Sequence, residues 1–186
     1  METERRSWKE CRAQADGKRI VGHAIVFDSR SENLGGFVEV ISPDAVDRAL
    51  SEGADVRALV DHDSGKVIGR TRAGTMTMKK DDRGLRVMIE PDEEITYARD
   101  IMRAVARGDV SGFSFGFQVL SDSWDYEQKT PLRTILDMRL AEISVVAFPA
   151  YGATDASVAM RSLREFQSAQ PMRDAKWYDT KLRLAR

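Results

Sequence analysis

The stretch Ser111–Phe117, Ser-Gly-Phe-Ser-Phe-Gly-Phe, constrains the fold more than any other part of the sequence. Side chains alternate between the two faces of a β-strand. As a strand, the stretch places Phe113, Phe115 and Phe117 on one face and Ser114, between two glycines, on the other. Glycine inside a strand marks a bulge or the close approach of another backbone. Two interpretations follow: a functional serine that another segment approaches, or a structural strand whose small residues fit a neighbour.

Length, charge and cysteine content exclude several classes of protein. A chain of 186 residues suits one domain with a tail, and its net charge of -1 gives no reason to expect direct nucleic-acid binding. Cys11 is the single cysteine, which excludes an internal disulfide and a cysteine metal cluster. We expect no metal and no cofactor. The first twelve residues are charged and no apolar stretch is long enough to span a membrane, so we expect neither export nor membrane insertion.

Alternating apolar residues predict a mainly β, α+β protein. Predicted strands lie at about 19–27, 37–41, 55–60, 67–72, 74–78, 85–89, 112–119 and 132–148. Turns or loops are predicted at 64–66 and 121–131, and helices at 42–50, 93–107 and 155–167. Short turns between most strands favour an antiparallel β-barrel with helices packed around it. A doubly wound sheet is not expected, because strands and helices do not alternate regularly.

The motif Gly112-Phe-Ser114-Phe-Gly116 formally matches the G-x-S-x-G nucleophile elbow of α/β-hydrolases. That elbow needs a helix directly after the serine, whereas the strand pattern here continues to Val119. Its triad order also places the histidine last, but His23 and His62 both precede Ser114. An unrelated esterase is therefore disfavoured.

A serine hydroxyl becomes a useful nucleophile when a base takes its proton, and histidine suits that task near neutral pH. His62 follows an apolar strand and lies in a predicted turn, where functional groups concentrate. A solvated loop histidine would give the same pattern. His23 lies in the middle of a predicted strand and is more simply a packed or edge histidine.

A third group is needed to orient the imidazole. Glu142 is the candidate, because the register that includes Leu140 puts it on a face that otherwise carries apolar residues. A carboxylate there must be paired. The same position would also suit an ion pair with an arginine, and Asp61 and Asp63 are weaker alternatives beside His62.

Several blocks occur in a fixed order along residues 19 to 155: Gly22–Asp28, Phe37–Ala45 with Ala49 and Leu50, Asp61–Asp63, Ile68–Thr71, Gly112–Phe117, Glu142–Val146 and Pro149–Tyr151. Together they resemble the prohead (procapsid) maturation proteases of tailed phages. That family is similar to the herpesvirus capsid-assembly serine proteases, which implies a β-barrel ringed by helices. One departure lies at residues 43–46, where the family often has a Gly-Ala-Phe run.

The resemblance implies that Ser114 is the nucleophile and His62 the general base. The herpesvirus relatives use a second histidine as third member, but here only His23 is left, so we favour Glu142. The oxyanion hole is left open between N–H groups near Ser114 and an arginine. The arginines considered are Arg70, Arg72 and Arg139.

The resemblance also implies an endopeptidase inside the assembling procapsid, in the host cytoplasm. Its substrates would be the scaffolding region of the major capsid protein, a separate scaffold protein and the protease itself. A rival hypothesis is a non-enzymatic capsid-assembly or scaffold protein that keeps the fold. The herpesvirus relatives are active as dimers. For this chain both a monomer and a homodimer are possible.

Three parts of the chain are predicted. Residues 1–18 would form an N-terminal arm or short edge element, and 19–160 the protease domain. Residues 161–186 would form a helical, polar tail, either a docking segment or a propeptide.

Overall fold

A computed structural model describes residues 3–148 of the chain. This part is mainly β-structure, as the alternating pattern predicts. Its strands are β1 (Glu4–Arg6), β2 (Ala13–Asp16), β3 (Arg19–Val26), β4 (Val38–Ile41), β5 (Arg57–Val60), β6 (Asp63–Arg70), β7 (Met76–Lys80), β8 (Gly84–Ile89), β9 (Gly112–Asp125) and β10 (Leu132–Val146). Its helices are α1 (Asp47–Ser51) and α2 (Thr96–Arg107), with 3-10 helices at Pro43–Val46 and Thr71–Ala73.

The larger sheet has the order β1-β9-β10-β5-β6, and β4 also pairs with β10. The antiparallel pair β9 and β10 runs the length of this sheet. On the side of β10 away from β9, β4 pairs with its first part and β5 with its last part, both in parallel. The end of β5 is thereby placed beside the end of β10.

The smaller sheet is antiparallel, with the order β2-β3-β8-β7. A single bridge between Arg12 and Gly112 links it to the larger sheet. In the described residues β1 and β6 end one sheet, and β2 and β7 end the other. The two sheets are not closed into a barrel, so the mainly β class holds and the barrel is not confirmed.

The core lies on the phenylalanine face of β9, as the sequence predicts. Phe113, Phe115 and Phe117 are completely buried, and Trp8 stacks on Phe115. Helix α2 packs against β2 and β3 with a stripe of residues at helical spacing. That stripe consists of Ala98, Ile101, Met102 and Val105.

Gly22 allows the two sheets to meet. A Cβ atom at residue 22 would overlap the main-chain oxygen of Arg12 and press on the ring of Phe113. Its φ of +152° also lies where side chains are rarely found. A glycine is therefore required where the smaller sheet crosses β9.

Some predicted boundaries are wrong. The turn predicted at 64–66 is part of β6, because Asp61 and His62 already form the turn after β5. The loop predicted from residue 121 begins later, since β9 continues to Asp125. Residues 4–6 and 13–16 of the predicted arm are edge strands. The helix predicted at 155–167 and the tail at 161–186 lie outside the described residues, and the three-part division stays a prediction.

Candidate active site

Ser114 lies on β9, directly opposite Ser144 on β10. Both side chains are completely buried. Gly112 and Gly116 flank Ser114 on the same face and add no side chain to it. The face of β9 opposite the phenylalanines therefore carries Ser114 between two residues without side chains, at a buried position in the sheet.

His62 reaches this face through a tight turn. Val60 of β5 pairs with Asp63 of β6, so that Asp61 and His62 form a two-residue loop. Both have positive φ values, +47° and +60°, as a type I′ turn requires. The Asp61 N–H donates to the carbonyl of Val145 at 3.1 Å, which brings the turn against the end of β10. The parallel pairing of β5 with β10 thus carries His62 to the Ser114 face.

Glu142 binds the imidazole of His62. The distance from His62 Nδ1 to Glu142 Oε1 is 2.6 Å, and both side chains are largely buried. An ionised carboxylate only accepts hydrogen bonds, so Nδ1 carries the proton and Nε2 of the neutral ring is left as an acceptor. That is the tautomer a general base needs.

A β-bulge places Glu142 where it can make this contact. Leu140 pairs with Phe117 on the core face, but after the irregularity Glu142 pairs with Gly116 on the Ser114 face. The predicted register, with Leu140 and Glu142 on one face, is therefore wrong. A bulge adds one residue to a strand and redirects the side chains that follow it.

Gly116 gives the Glu142 carboxylate its space. A Cβ atom at residue 116 would lie 2.6 Å from Glu142 Oε1. Contacts that short do not occur, so any other residue here would displace the carboxylate. Gly116, the second glycine of the motif, is thus explained by the close approach of the Glu142 side chain and not of another backbone.

Ser144 was not considered as a functional residue at the sequence level. Its hydroxyl donates to Glu142 Oε2 at 2.6 Å and accepts the main-chain N–H of His62 at 3.2 Å. The signal was its position two residues after Glu142, which in a strand means the same face.

The Ser114 hydroxyl donates to the main-chain carbonyl of Arg6 at 3.0 Å. Arg6 ends β1, which pairs with β9 at the edge of the larger sheet. The backbone that approaches the serine is therefore the N-terminal segment. In this arrangement the Ser114 hydroxyl is bonded to Arg6 and not to His62.

The family described as Caudovirus prohead serine protease matches residues 5–169 of the chain. The chain belongs to this family. Searches of curated proteins and of solved structures gave no match. Membership of the prohead serine proteases implies a serine peptidase of phage capsid maturation, in agreement with the resemblance inferred from the sequence.

The other candidates for the third site residue in this prohead serine protease have different partners. His23 lies in the smaller sheet and bonds through Nε2 to Asp81 at 2.9 Å. Asp61 accepts the Ala147 N–H, and Asp63 accepts the Gly65 N–H. The Gly65 N–H, together with Lys66, lowers the pKa of Asp63.

The arginines considered for the oxyanion hole lie in three different places. Arg70 forms two hydrogen bonds with Asp55. Arg72 lines a groove beside α1, and Arg139 is paired in register with Gln118 along the middle of β9 and β10. Arg5, which the sequence did not single out, lies on β1 with its Nε 4.0 Å from Glu142 Oε1 and half of its side chain exposed.

Cys11 carries a free thiol, which is a nucleophile when it is ionised. It is completely buried, and burial raises its pKa to about 12. The thiol therefore stays protonated at neutral pH and is a poor nucleophile.

No group of three or more His, Cys, Asp or Glu side chains in the described part could hold a metal ion. Between residues 3 and 148 no helix has the length and apolar character to span a membrane.

Proposed function

We propose that the chain is the serine endopeptidase that cleaves the scaffolding region of the major capsid protein, or a separate scaffold protein, and also cleaves itself. The observation that carries this proposal is the 2.6 Å hydrogen bond between His62 and Glu142 on the sheet face that holds Ser114. Ser114 would be the nucleophile, His62 the general base and Glu142 the group that orients the imidazole.

In the proposed reaction His62 Nε2 takes the hydroxyl proton as Ser114 Oγ bonds to the carbon of the scissile carbonyl. The protonated ring then gives that proton to the leaving nitrogen as the C–N bond breaks. Water splits the acyl ester with the same nitrogen as base and regenerates Ser114. Glu142, bonded to Nδ1, stabilises the positive charge that the ring carries between these steps.

Main-chain N–H groups beside Ser114 are the proposed oxyanion donors. One such donor contributes about 2.7–4 kcal/mol to the transition state. Substrate access requires a movement, because the Arg6 carbonyl holds the Ser114 hydroxyl and the side chain is completely buried. In the proposed function the arrangement described here would be the closed state.

The proposed setting is the assembling procapsid in the host cytoplasm, with the major capsid protein and the scaffold as partners. Self-cleavage within residues 161–186 would remove the tail as a propeptide. The proposal includes no cofactor and no nucleic-acid ligand, and it allows a monomer or a homodimer.

Co-expression with the major capsid protein from the same genome tests the proposal. Intact masses should show cleavage of the capsid protein, and of this chain, with the wild type but not with Ser114→Ala. Cleavage by Ser114→Ala would show that Ser114 is not the nucleophile. Uncut masses with wild type and variant alike, in procapsids that still assemble, would favour the non-enzymatic assembly protein.

The chain offers a matched pair of variants for the role of Glu142. Glu142→Gln keeps the size of the side chain but removes the negative charge beside His62, and should lower the cleavage rate about 10²–10⁴-fold. Asp81→Asn likewise removes the negative charge beside His23, the other histidine of the chain. It should leave the rate unchanged, and equal losses in both variants would contradict the assignment.

A further inference from the structure

The Ser144 hydroxyl contacts both His62 and Glu142, the two residues proposed to act with Ser114. It donates its proton to Glu142 Oε2 and accepts the main-chain N–H of His62, at 2.6 Å and 3.2 Å. The side chain is completely buried. One hydroxyl therefore contacts both the carboxylate and the backbone of the histidine.

The Glu142 carboxylate has a partner on each oxygen. Oε1 accepts from the His62 ring and Oε2 accepts from Ser144. With Ser144 in place the carboxylate cannot rotate about its last bond without breaking one short, charge-assisted hydrogen bond. Without the hydroxyl, Oε2 would lose this donor, and the carboxylate could turn toward Arg5, whose Nε is 4.0 Å from Oε1.

The backbone of His62 also depends on an acceptor at this position. Its φ of +60° is unusual for a residue other than glycine, and such conformations persist only where the surroundings hold them. The Ser144 oxygen binds the N–H of that residue. It thereby fixes the turn from which the imidazole projects.

We infer that Ser144 is a positioning residue, which holds the Glu142 carboxylate and the His62 backbone in the geometry that the reaction uses. This inference rests on the proposed function. Ser144 is not the nucleophile in this assignment, because its proton is committed to Glu142. It acts through the other two residues and does not touch the substrate.

Ser144→Ala should lower kcat about 10–100-fold and change KM little, because misplacement of a catalytic group by about 1 Å costs about that much. The substrate is a peptide that spans the site mapped by co-expression. The acid limb of the kcat/KM profile against pH should also move, since the environment of the base changes. Ser144→Thr keeps the hydroxyl and should restore most of the rate.

Thr71→Val is the matched control for lost stability. The Thr71 hydroxyl donates to the Ala54 carbonyl and accepts the Val56 N–H. These bonds lie near the start of β5, away from the site. If the two variants have the same melting temperature, Ser144→Ala should still cleave the peptide more slowly than Thr71→Val. An equal loss of rate in the two variants would overturn the inference.

A spectroscopic measurement is independent of cleavage. The Nδ1 proton of His62, in a 2.6 Å hydrogen bond, should give a protected downfield NMR resonance in the wild type. Ser144→Ala should broaden or remove it and leave the signals of His23 unchanged. If the wild type and Ser144→Ala share kcat, pH profile and this resonance, the positioning role is wrong while the protease assignment stands. If the wild type cleaves nothing, the proposed function fails, and the resonance still tests Ser144.

Discussion

The main-chain carbonyl of Arg6 accepts the hydroxyl of Ser114 at 3.0 Å and covers the proposed nucleophile. Arg6 is held there by buried ion pairs, of which the one with Glu39 is 2.9 Å long. A peptide carbonyl can reach Ser114 only after this contact opens. In the proposed mechanism this contact between Arg6 and Ser114 has to open before cleavage.

A fluorophosphonate reagent measures that opening directly. We expect Ser114 to be labelled slowly in buffer, and the rate to rise about five-fold between 0 and 1 M urea if the opening has an m-value of about 1 kcal/mol/M. Ser114→Ala should not be labelled, as judged by mass spectrometry of the peptide. Fast labelling that does not respond to urea would show that Arg6 does not limit access.

Gly116→Ala should inactivate the enzyme through Glu142. The added Cβ would lie 2.6 Å from Glu142 Oε1, so the carboxylate must move away from His62. We expect kcat/KM to fall about 100-fold. At Gly65 on β6 an added Cβ meets only the flexible end of Asp63, at 3.1 Å, so Gly65→Ala should keep its activity.

A double-mutant cycle identifies the route of the Gly116 effect. In a Glu142→Gln background, Gly116→Ala should cost far less than it does in the wild type, because the interaction it disturbs is already lost. Additive losses in kcat/KM would mean that Gly116 acts on something other than Glu142.

Periodicity in the sequence was enough to predict the main helices and strands and the two faces of the Ser114 strand. The alternating phenylalanines place the core on one face, and burial of Phe113, Phe115 and Phe117 confirms this. The short helix at residue 42 was also predicted, although it is split into a 3-10 turn and α1. Local patterns thus predict local structure well.

Long-range pairing was not predictable in the same way. Glu142 was selected from a register that placed it on the face of Leu140, whereas a bulge puts it on the opposite face. Nothing in the residue types around position 141 marks an extra residue in a strand. The parallel pairing of β5 with β10, which brings His62 to Glu142, joins segments about 80 residues apart and leaves no local signal.

Glu39→Gln should destabilise the fold strongly. Glu39 is completely buried and accepts hydrogen bonds from Arg6 and from Arg133, at 2.9 Å and 3.0 Å, and both arginines are nearly buried. Removing one charge from a buried cluster of ion pairs leaves the opposite charges in it less well compensated. Because Glu4 still pairs with both arginines, we expect a loss of about 3 kcal/mol, the lower end of the usual cost of breaking a buried ion pair.

Urea unfolding of Glu39→Gln and of an exposed control checks this. Glu93 bonds to Lys18 at 2.7 Å on the surface, and Glu93→Gln should change the free energy of unfolding by less than about 0.5 kcal/mol. Similar losses in the two variants would show that the buried cluster contributes no more than a surface pair.

The ion pair between Asp55 and Arg70 should make stability depend on pH in a defined direction. The hydrogen bonds from Arg70 are the main cause that lowers the pKa of Asp55 in the folded protein. A carboxyl whose folded pKa lies below its unfolded value, about 3.9, stabilises the fold above that pH. The contribution disappears as the pH falls through the lower folded value. Asp55→Asn should therefore have a lower urea midpoint than the wild type at pH 7, and the difference should shrink as the pH falls below the unfolded value of about 3.9. A difference that stays constant over this range would mean that the Asp55 charge does not act through its ionisation.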